Sequence, residues 1–183
     1  MSNEANQTLL GKNIIEPYGK GVIFLSNLHA HIHAGKAFKS RVANASVANN
    51  GHIYMQIIMP AGVSMHLKHL IVYSAGDSVN VKVTEDPTAV TDGTTGANTK
   101  NLNRYFPDDP RGIRIYSDPS AISGGEDIED FPIGDIIGNA DAIGAVGSQA
   151  EWIFKGGLKY IIDITNTSGT VQTMNILAIF YYL

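Results

Sequence analysis

Alternation of apolar and polar positions is the dominant pattern in this chain. In "DSVNVKVTED" (77–86), Val79, Val81 and Val83 fall on one face while Asn80, Lys82 and Thr84 fall on the other. A period of two predicts a half-buried strand with its polar side outward. "GLKYIIDITN" (157–166) aligns Leu158, Tyr160, Ile162 and Ile164, and "TVQTMNILAIFYYL" (170–183) aligns Met174, Ile176, Ala178 and Phe180. The intervening "NTSG" supplies turn residues. These two runs predict a C-terminal hairpin near the centre of a sheet, covered because so apolar a strand on an open edge invites aggregation. "GVIFLSNL" (21–28), "HIYMQIIMP" (52–60, stopped by Pro60) and "MHLKHLIVYSAG" (65–76) predict further strands. No stretch combines i, i+3, i+4 apolar spacing with a cap at each end, so no helix is predicted.

Between residues 86 and 150 the pattern breaks into segments rich in Gly, Asp, Pro and Asn, with short inserts such as "IRIY" (113–116). Loops this long in a compact domain are usually functional. Tyr105, Phe106, Tyr116 and Phe131 are the side chains able to pin them, so ordered, contact-making loops are expected. Many short strands with such connections predict an all-β fold, a jelly-roll-like β-sandwich with long ordered loops. The expected organisation is an extended polar N-terminal arm over 1–20 and a single β-sandwich domain over 21–183.

Composition narrows the chemistry. The 183 residues are 44% hydrophobic and 16% charged, with a formal net charge of −4. Soluble domains carry about 25% charged residues, so this surface either meets partners or relies on neutral polar groups. Mild acidity without clustered Lys and Arg argues against a nucleic-acid partner. With no cysteine, disulfides, thiolate nucleophiles and cysteine-held metals are excluded. The start, "MSNEANQTLL", has no basic region followed by an apolar run, and no apolar stretch approaches the roughly 20 residues that cross a bilayer. A soluble chain with no membrane partner is expected.

"NLHAHIHAGKAF" (27–38) places His29, His31 and His33 at alternate positions. On a strand they share a face, with His29 and His33 about 13 Å apart at Cα, too far to meet on one ion. A neighbouring pair would need ligands from elsewhere, so a packed or interfacial polar face is favoured and no cofactor is expected. "EDIEDFPIGD" (126–135) gathers Glu126, Asp127, Glu129, Asp130 and Asp135. It lacks the EF-hand spacing and reads as an acidic solvated loop suited to a basic patch on a partner. "GNADAIGAVG" has no phosphate-loop pattern, and no nucleophile elbow occurs. Trp152 reads as a core anchor rather than a sugar-stacking platform. No coherent catalytic constellation emerges, and a non-enzymatic protein is expected.

Several segments taken together resemble a family of tailed-bacteriophage virion structural proteins, the capsid decoration or cement proteins that stabilise the head. They are Glu85 closing a strand; Pro87, Thr88, Gly93 and Thr94 in a loop; Asn101, Asn103 and Arg104; then Glu151, Trp152, Lys155 and Tyr160. His66 ahead of a strand fits too, and the similarity spans residues 50–183; the ending "FYYL" departs from it. The resemblance implies a β-sandwich bound to the major capsid protein on the virion exterior, assembled in the host cytoplasm as a homo-oligomer, a trimer or dimer. Within its motif, Arg104 beside Asn101 and Asn103 has two readings, a clamp that holds a loop by forked hydrogen bonds to a carboxylate, with Glu85 as the candidate, and a solvated loop arginine. Two other classes stay open: a carbohydrate- or receptor-binding module of a fibre or tail, and a metalloenzyme built on the three histidines.

Overall fold

A computed structural model describes residues 14–15, 22–23, 27–75, 78–89, 91–95, 98–133, 142–146 and 151–183. Apart from Ile14–Ile15, the arm expected over 1–20 lies outside the described residues. In chain order the elements begin with β1 (Ile14–Ile15) and β2 (Val22–Ile23), which pair with each other, and α1 (Asn27–His33). Four long strands follow: β3 (Ala37–Val47), β4 (His52–Ile58), β5 (Met65–Ser74) and β6 (Val79–Glu85). A stretch of short strands comes next, β7 (Thr94–Thr95), β8 (Lys100–Asn101) and β9 (Arg114–Ser117), before β10 (Glu126–Ile133) and β11 (Ala142–Val146). The chain ends with β12 (Trp152–Phe154), β13 (Lys159–Asn166) and β14 (Gln172–Tyr182).

The pairings describe one long antiparallel ribbon. β3 runs against β14 (Phe38 opposite Phe180), β4 against β13 (Met55 opposite Ile162), β5 against β11 and β12, and β6 against β10 (Val81 opposite Phe131). Successive ribbon segments alternate between two sheets. The first has the order β11-β5-β14-β3-β8, with β12 also on β5, and the second β10-β6-β13-β4-β9-β7. A ribbon wrapped in this way is a jelly roll, so the expected architecture is found.

Inward-facing residues of both sheets form the core. Phe38, Met55, Ile57, Met65, Val81, Ile162, Ile176 and Phe180 have no solvent exposure, each contributing about 1.5–3 kcal/mol by leaving water. Val79, Val81 and Val83 are buried as their alternation predicts. On β5 the alternation slips at Lys68 and His69, where the pairing with β14 shifts register. That bulge turns both side chains away from the core.

Three sequence expectations are corrected. The two C-terminal strands do not form a hairpin in one sheet: β13 is central to the second sheet and β14 to the first. Alternation fixes which face of a strand is buried, and it says nothing about which strand lies beside it. The acidic segment is no loop, since Glu126–Ile133 is strand β10, bonded to β6; residues 134 and 135 lie outside the described ones. The segment "NLHAHIH" is helix α1, which takes the last two residues of the strand predicted over 21–28; Val22–Ile23 is a strand, and residues 21 and 24–26 lie outside the described ones. The helix closes where Gly35, at φ 68°, lets its own N–H bond Ile32 O (3.0 Å) and Lys36 N–H bond His31 O (2.9 Å), a Schellman stop.

The described parts of the 86–125 connection contribute short strands to the sheet edges. β8 adds to β3, β9 to β4 and β7 to β9, which covers edges that would otherwise offer unpaired backbone groups. Gly93 makes the β7 approach possible, because a Cβ there would stand 2.2 Å from Ser117 O.

Candidate functional site

Asn101 organises a loop that presents aromatic side chains. It ends β8 with its side chain buried, because Nδ2 donates to Gly35 O (2.8 Å) and Pro107 O (3.2 Å). Its Oδ1 accepts Asn103 N–H (2.9 Å), and its own N–H donates to Asp108 Oδ1 (2.8 Å). Asn103 repeats the turn by accepting Tyr105 N–H at 3.2 Å. Arg104 closes the loop on Asp108 at 2.5 Å, and Lys100 takes the other carboxylate oxygen at 3.0 Å. The Arg104 guanidinium first, then Asn101 N–H and Lys100, hold the Asp108 carboxyl far below its usual range. Backbone and side-chain donors thus fix residues 101–108, and the tip carries Tyr105, 99% exposed, and Phe106, 42% exposed.

The forked bond to Glu85 expected of Arg104 is not formed: a single nitrogen, Nη1, reaches Asp108 Oδ1 and Asn101 O (3.3 Å), and the side chain is largely exposed. Its carboxylate is Asp108, four residues on, since Glu85 is engaged elsewhere. Asp108 is the first Asp of "FPDDP" (106–110), which carried no signal that distinguished it from Asp109.

Beside this loop, outward residues of the first sheet form a groove of about 650 Å³. Its floor is Ile71 and Leu177, cross-strand neighbours on β5 and β14, with Tyr73 alongside. Lys39, Arg41 and Lys100 stand on its rim. Among the described residues the Arg41 side chain bonds the neutral Asn175 Oδ1 (3.0 and 2.5 Å), and neither Arg41 nor Lys39 has an ion pair there. Lys100 is largely neutralised by Asp108. The groove's outward pair was legible in "FKSRV", where Lys39 and Arg41 alternate with Phe38, Ser40 and Val42, but the half-buried isoleucine and leucine on the same face were not.

Residues 151–155 staple the two sheets. Glu151 accepts His66 Nδ1 at 2.9 Å and the Tyr181 hydroxyl, with Lys68 at 3.6 Å. Burial works to raise its pKa, yet the Tyr181 and His66 hydrogen bonds hold it below the ordinary value. Trp152 is half-buried against the core, in keeping with a core anchor. Phe154 stacks on Tyr160 at 4.0 Å, and Lys155 Nζ reaches Glu85 Oε1 at 3.0 Å. Tyr160 donates to Glu85 Oε2 at 2.8 Å. Glu85, Lys155 and Tyr160 thus meet, apart from the Asn101–Arg104 loop. Glu126 stands directly opposite Glu85 on β10, and Lys155 offsets that like-charge pairing.

The three histidines divide. His29 and His33, one helical turn apart, approach at 2.8 Å between Nε2 atoms. The strand spacing that separated them is overturned. His31 points to another face, stacking on Tyr181 at 4.1 Å, whose ring also stacks on His66 at 4.7 Å. Burial, then Lys36, lower the His31 pKa. Among the described residues no group of three or more His, Asp or Glu is placed to share a metal ion, and no helix is long and apolar enough to cross a membrane.

These contacts set the acid response. Lys155 and Tyr160 lower Glu85, Lys159 lowers Asp92, and Thr84 lowers Asp127, as Arg104 lowers Asp108. A depressed folded pKa contributes stability above the unfolded values of 3.8 and 4.5, lost as pH falls through the folded value. Asp163, raised by burial, acts with the opposite sign, the one carboxylate among the described residues found to do so. The melting temperature should therefore fall on acidification below about pH 4, and less steeply in Asp108→Asn; calorimetry between pH 7 and 3 checks both. A melting temperature that climbs with acid contradicts this accounting.

Compared with known proteins, the chain matches no family model and no curated protein.

Proposed function

We propose that this jelly roll is a non-enzymatic structural protein of a bacteriophage virion, a capsid decoration protein that attaches to the major capsid protein from outside. The observation that carries the reading is Tyr105, 99% exposed on a loop held by Asn101, Arg104 and Asp108. Exposing a large aromatic on a fixed scaffold is costly for an isolated molecule, yet Tyr and Arg are the residues that anchor interfaces. A fixed loop also loses little entropy on binding. The jelly-roll body and the motif residues resembling the decoration family support the same reading. Of the aromatics that a sugar-binding module would expose, Trp152 packs against the core, whereas Tyr105 and Phe106 are exposed, so glycan binding is the second reading.

The experiment is attachment of the purified protein to shells of the phage that encodes it, read by co-sedimentation and cryo-electron microscopy. Tyr105→Ala should weaken attachment at least tenfold, the size of a modest anchor, with unchanged melting. Particles that never carry the protein, or a Tyr105→Ala variant that attaches like the native chain, defeat the proposal.

A further inference from the structure

We infer that copies of this chain associate head to tail, with the acidic bulge of β10 on one copy seated in the basic-rimmed groove of the next. The groove offers an apolar floor, Ile71 and Leu177, beneath Lys39 and Arg41. Those two cations lie two residues apart on one face of β3, about 7 Å along the strand. Among the described residues no carboxylate lines this groove, in a chain whose acids outnumber its cations 17 to 13.

The complementary surface is on the same chain. β10 is the terminal strand of the second sheet, and its register with β6 shifts between Asp127 and Glu129. A bulge of this kind leaves one residue unpaired and re-aims its side chain. That residue is Ile128, a large apolar side chain that is 38% exposed. Glu126 and Asp127 precede it, and Glu129 and Asp130 follow. Lys82 and Thr84 engage Asp127, and Asn80 engages Asp130, whereas Glu126 and Glu129 have no ion pair among the described residues. An apolar knob flanked by Glu126 and Glu129, which have no ion pair among the described residues, is complementary in charge to an apolar hollow flanked by Lys39 and Arg41.

Edge protection accounts for the acids and for Pro132, since charges and proline deter strand pairing. It does not account for an isoleucine turned outward at their centre. The two surfaces differ, so the contact is heterologous, and it closes into a ring or continues as a row. One knob buries far less than the roughly 1,200 Å² of a standard interface. Association of the free chain is therefore weak, and it strengthens where copies are held side by side. The inference does not rest on capsid attachment, because it concerns the free chain.

Sedimentation velocity over a concentration series at low salt tests it. The native chain should show a sedimentation coefficient that rises with concentration and falls back in high salt. Lys39→Glu with Arg41→Glu, Glu126→Lys with Glu129→Lys, and Ile128→Asp should each remain monomeric with unchanged circular dichroism. Mixing the two charge-reversed proteins pairs opposite charges at both contacts, so the mixture should regain the association that neither shows alone. If a reversal lowers the melting temperature, the neutral pair Lys39→Gln with Arg41→Gln takes its place and should also lose association. A native chain that stays monomeric at every concentration, or folded variants that associate like it, overturns the inference. So does a mixture that stays monomeric. The groove's occupant would then be an acidic segment of a different protein.

Discussion

Tyr160→Ala should lower stability by about 3–5 kcal/mol, in the range of large aromatic deletions from a core, and Tyr160→Phe by about 1–3 kcal/mol. The ring is fully buried and lies flat against Phe154, 4.0 Å between centroids. Its hydroxyl sits where the two sheets are stapled, accepting Lys155 N–H at 2.9 Å and donating to Glu85 Oε2 at 2.8 Å. Burial pushes the phenol up to about 12, so it remains a donor throughout the physiological range. Phenylalanine keeps the stack and strips both hydrogen bonds, which isolates the polar part of the effect. Urea denaturation of both variants measures the two costs separately. Combining Tyr160→Phe with Glu85→Gln should cost less than the sum of the single changes, since residues sharing a hydrogen bond couple. A Tyr160→Phe protein as stable as the native chain would show that the staple is held by packing alone.

Much of this fold was legible because the alternation in β6, β13 and β14 is regular, and burying one face of each strand leaves a two-sheet body as the economical solution. What alternation could not supply was partnership. β13 and β14 are adjacent in sequence and joined by good turn residues, yet they occupy opposite sheets, because each pairs with a strand more than a hundred residues earlier: Ile162 with Met55, Phe180 with Phe38. The histidine segment failed for a different reason. Seven residues give two turns of helix, too few for a periodic signal, and histidines at alternate positions imitate a strand. Only Gly35, placed to stop a helix, carried the contrary information. In the acidic segment the charges masked β10, whose burial pattern is faint because it lies at a sheet edge. The loop was legible by composition, in Asn101, Asn103 and Arg104, but its counter-ion was not. Glu85 ends β6 in the second sheet, where Lys155 and Tyr160 engage it, whereas Asp108 lies in Arg104's own loop four residues on.

Asn101→Leu should be as damaging as a core deletion, about 2–5 kcal/mol, because it leaves buried polar groups without partners. Gly35 O and Pro107 O each lose a donor and Asn103 N–H loses its acceptor, while the leucine puts a branched apolar group among them. The consequence reaches beyond stability. Gly35 O belongs to the helix stop that leads into β3, and Asn103 N–H begins the turn that carries Tyr105, so one side chain ties the contact loop to the first sheet. Released, residues 102–108 would pay on binding the ordering entropy that the native loop has already lost. Attachment should therefore weaken with Tyr105 still present, and the two variants separate by their signatures. Tyr105→Ala leaves the melting temperature alone and weakens attachment, whereas Asn101→Leu lowers both and abolishes hydrogen-exchange protection at the Asn103 and Phe106 amides. If Asn101→Leu attaches normally while its loop amides exchange freely, the side chain of Tyr105 finds its partner without a fixed loop. Preorganisation would then have no part in how this protein adheres.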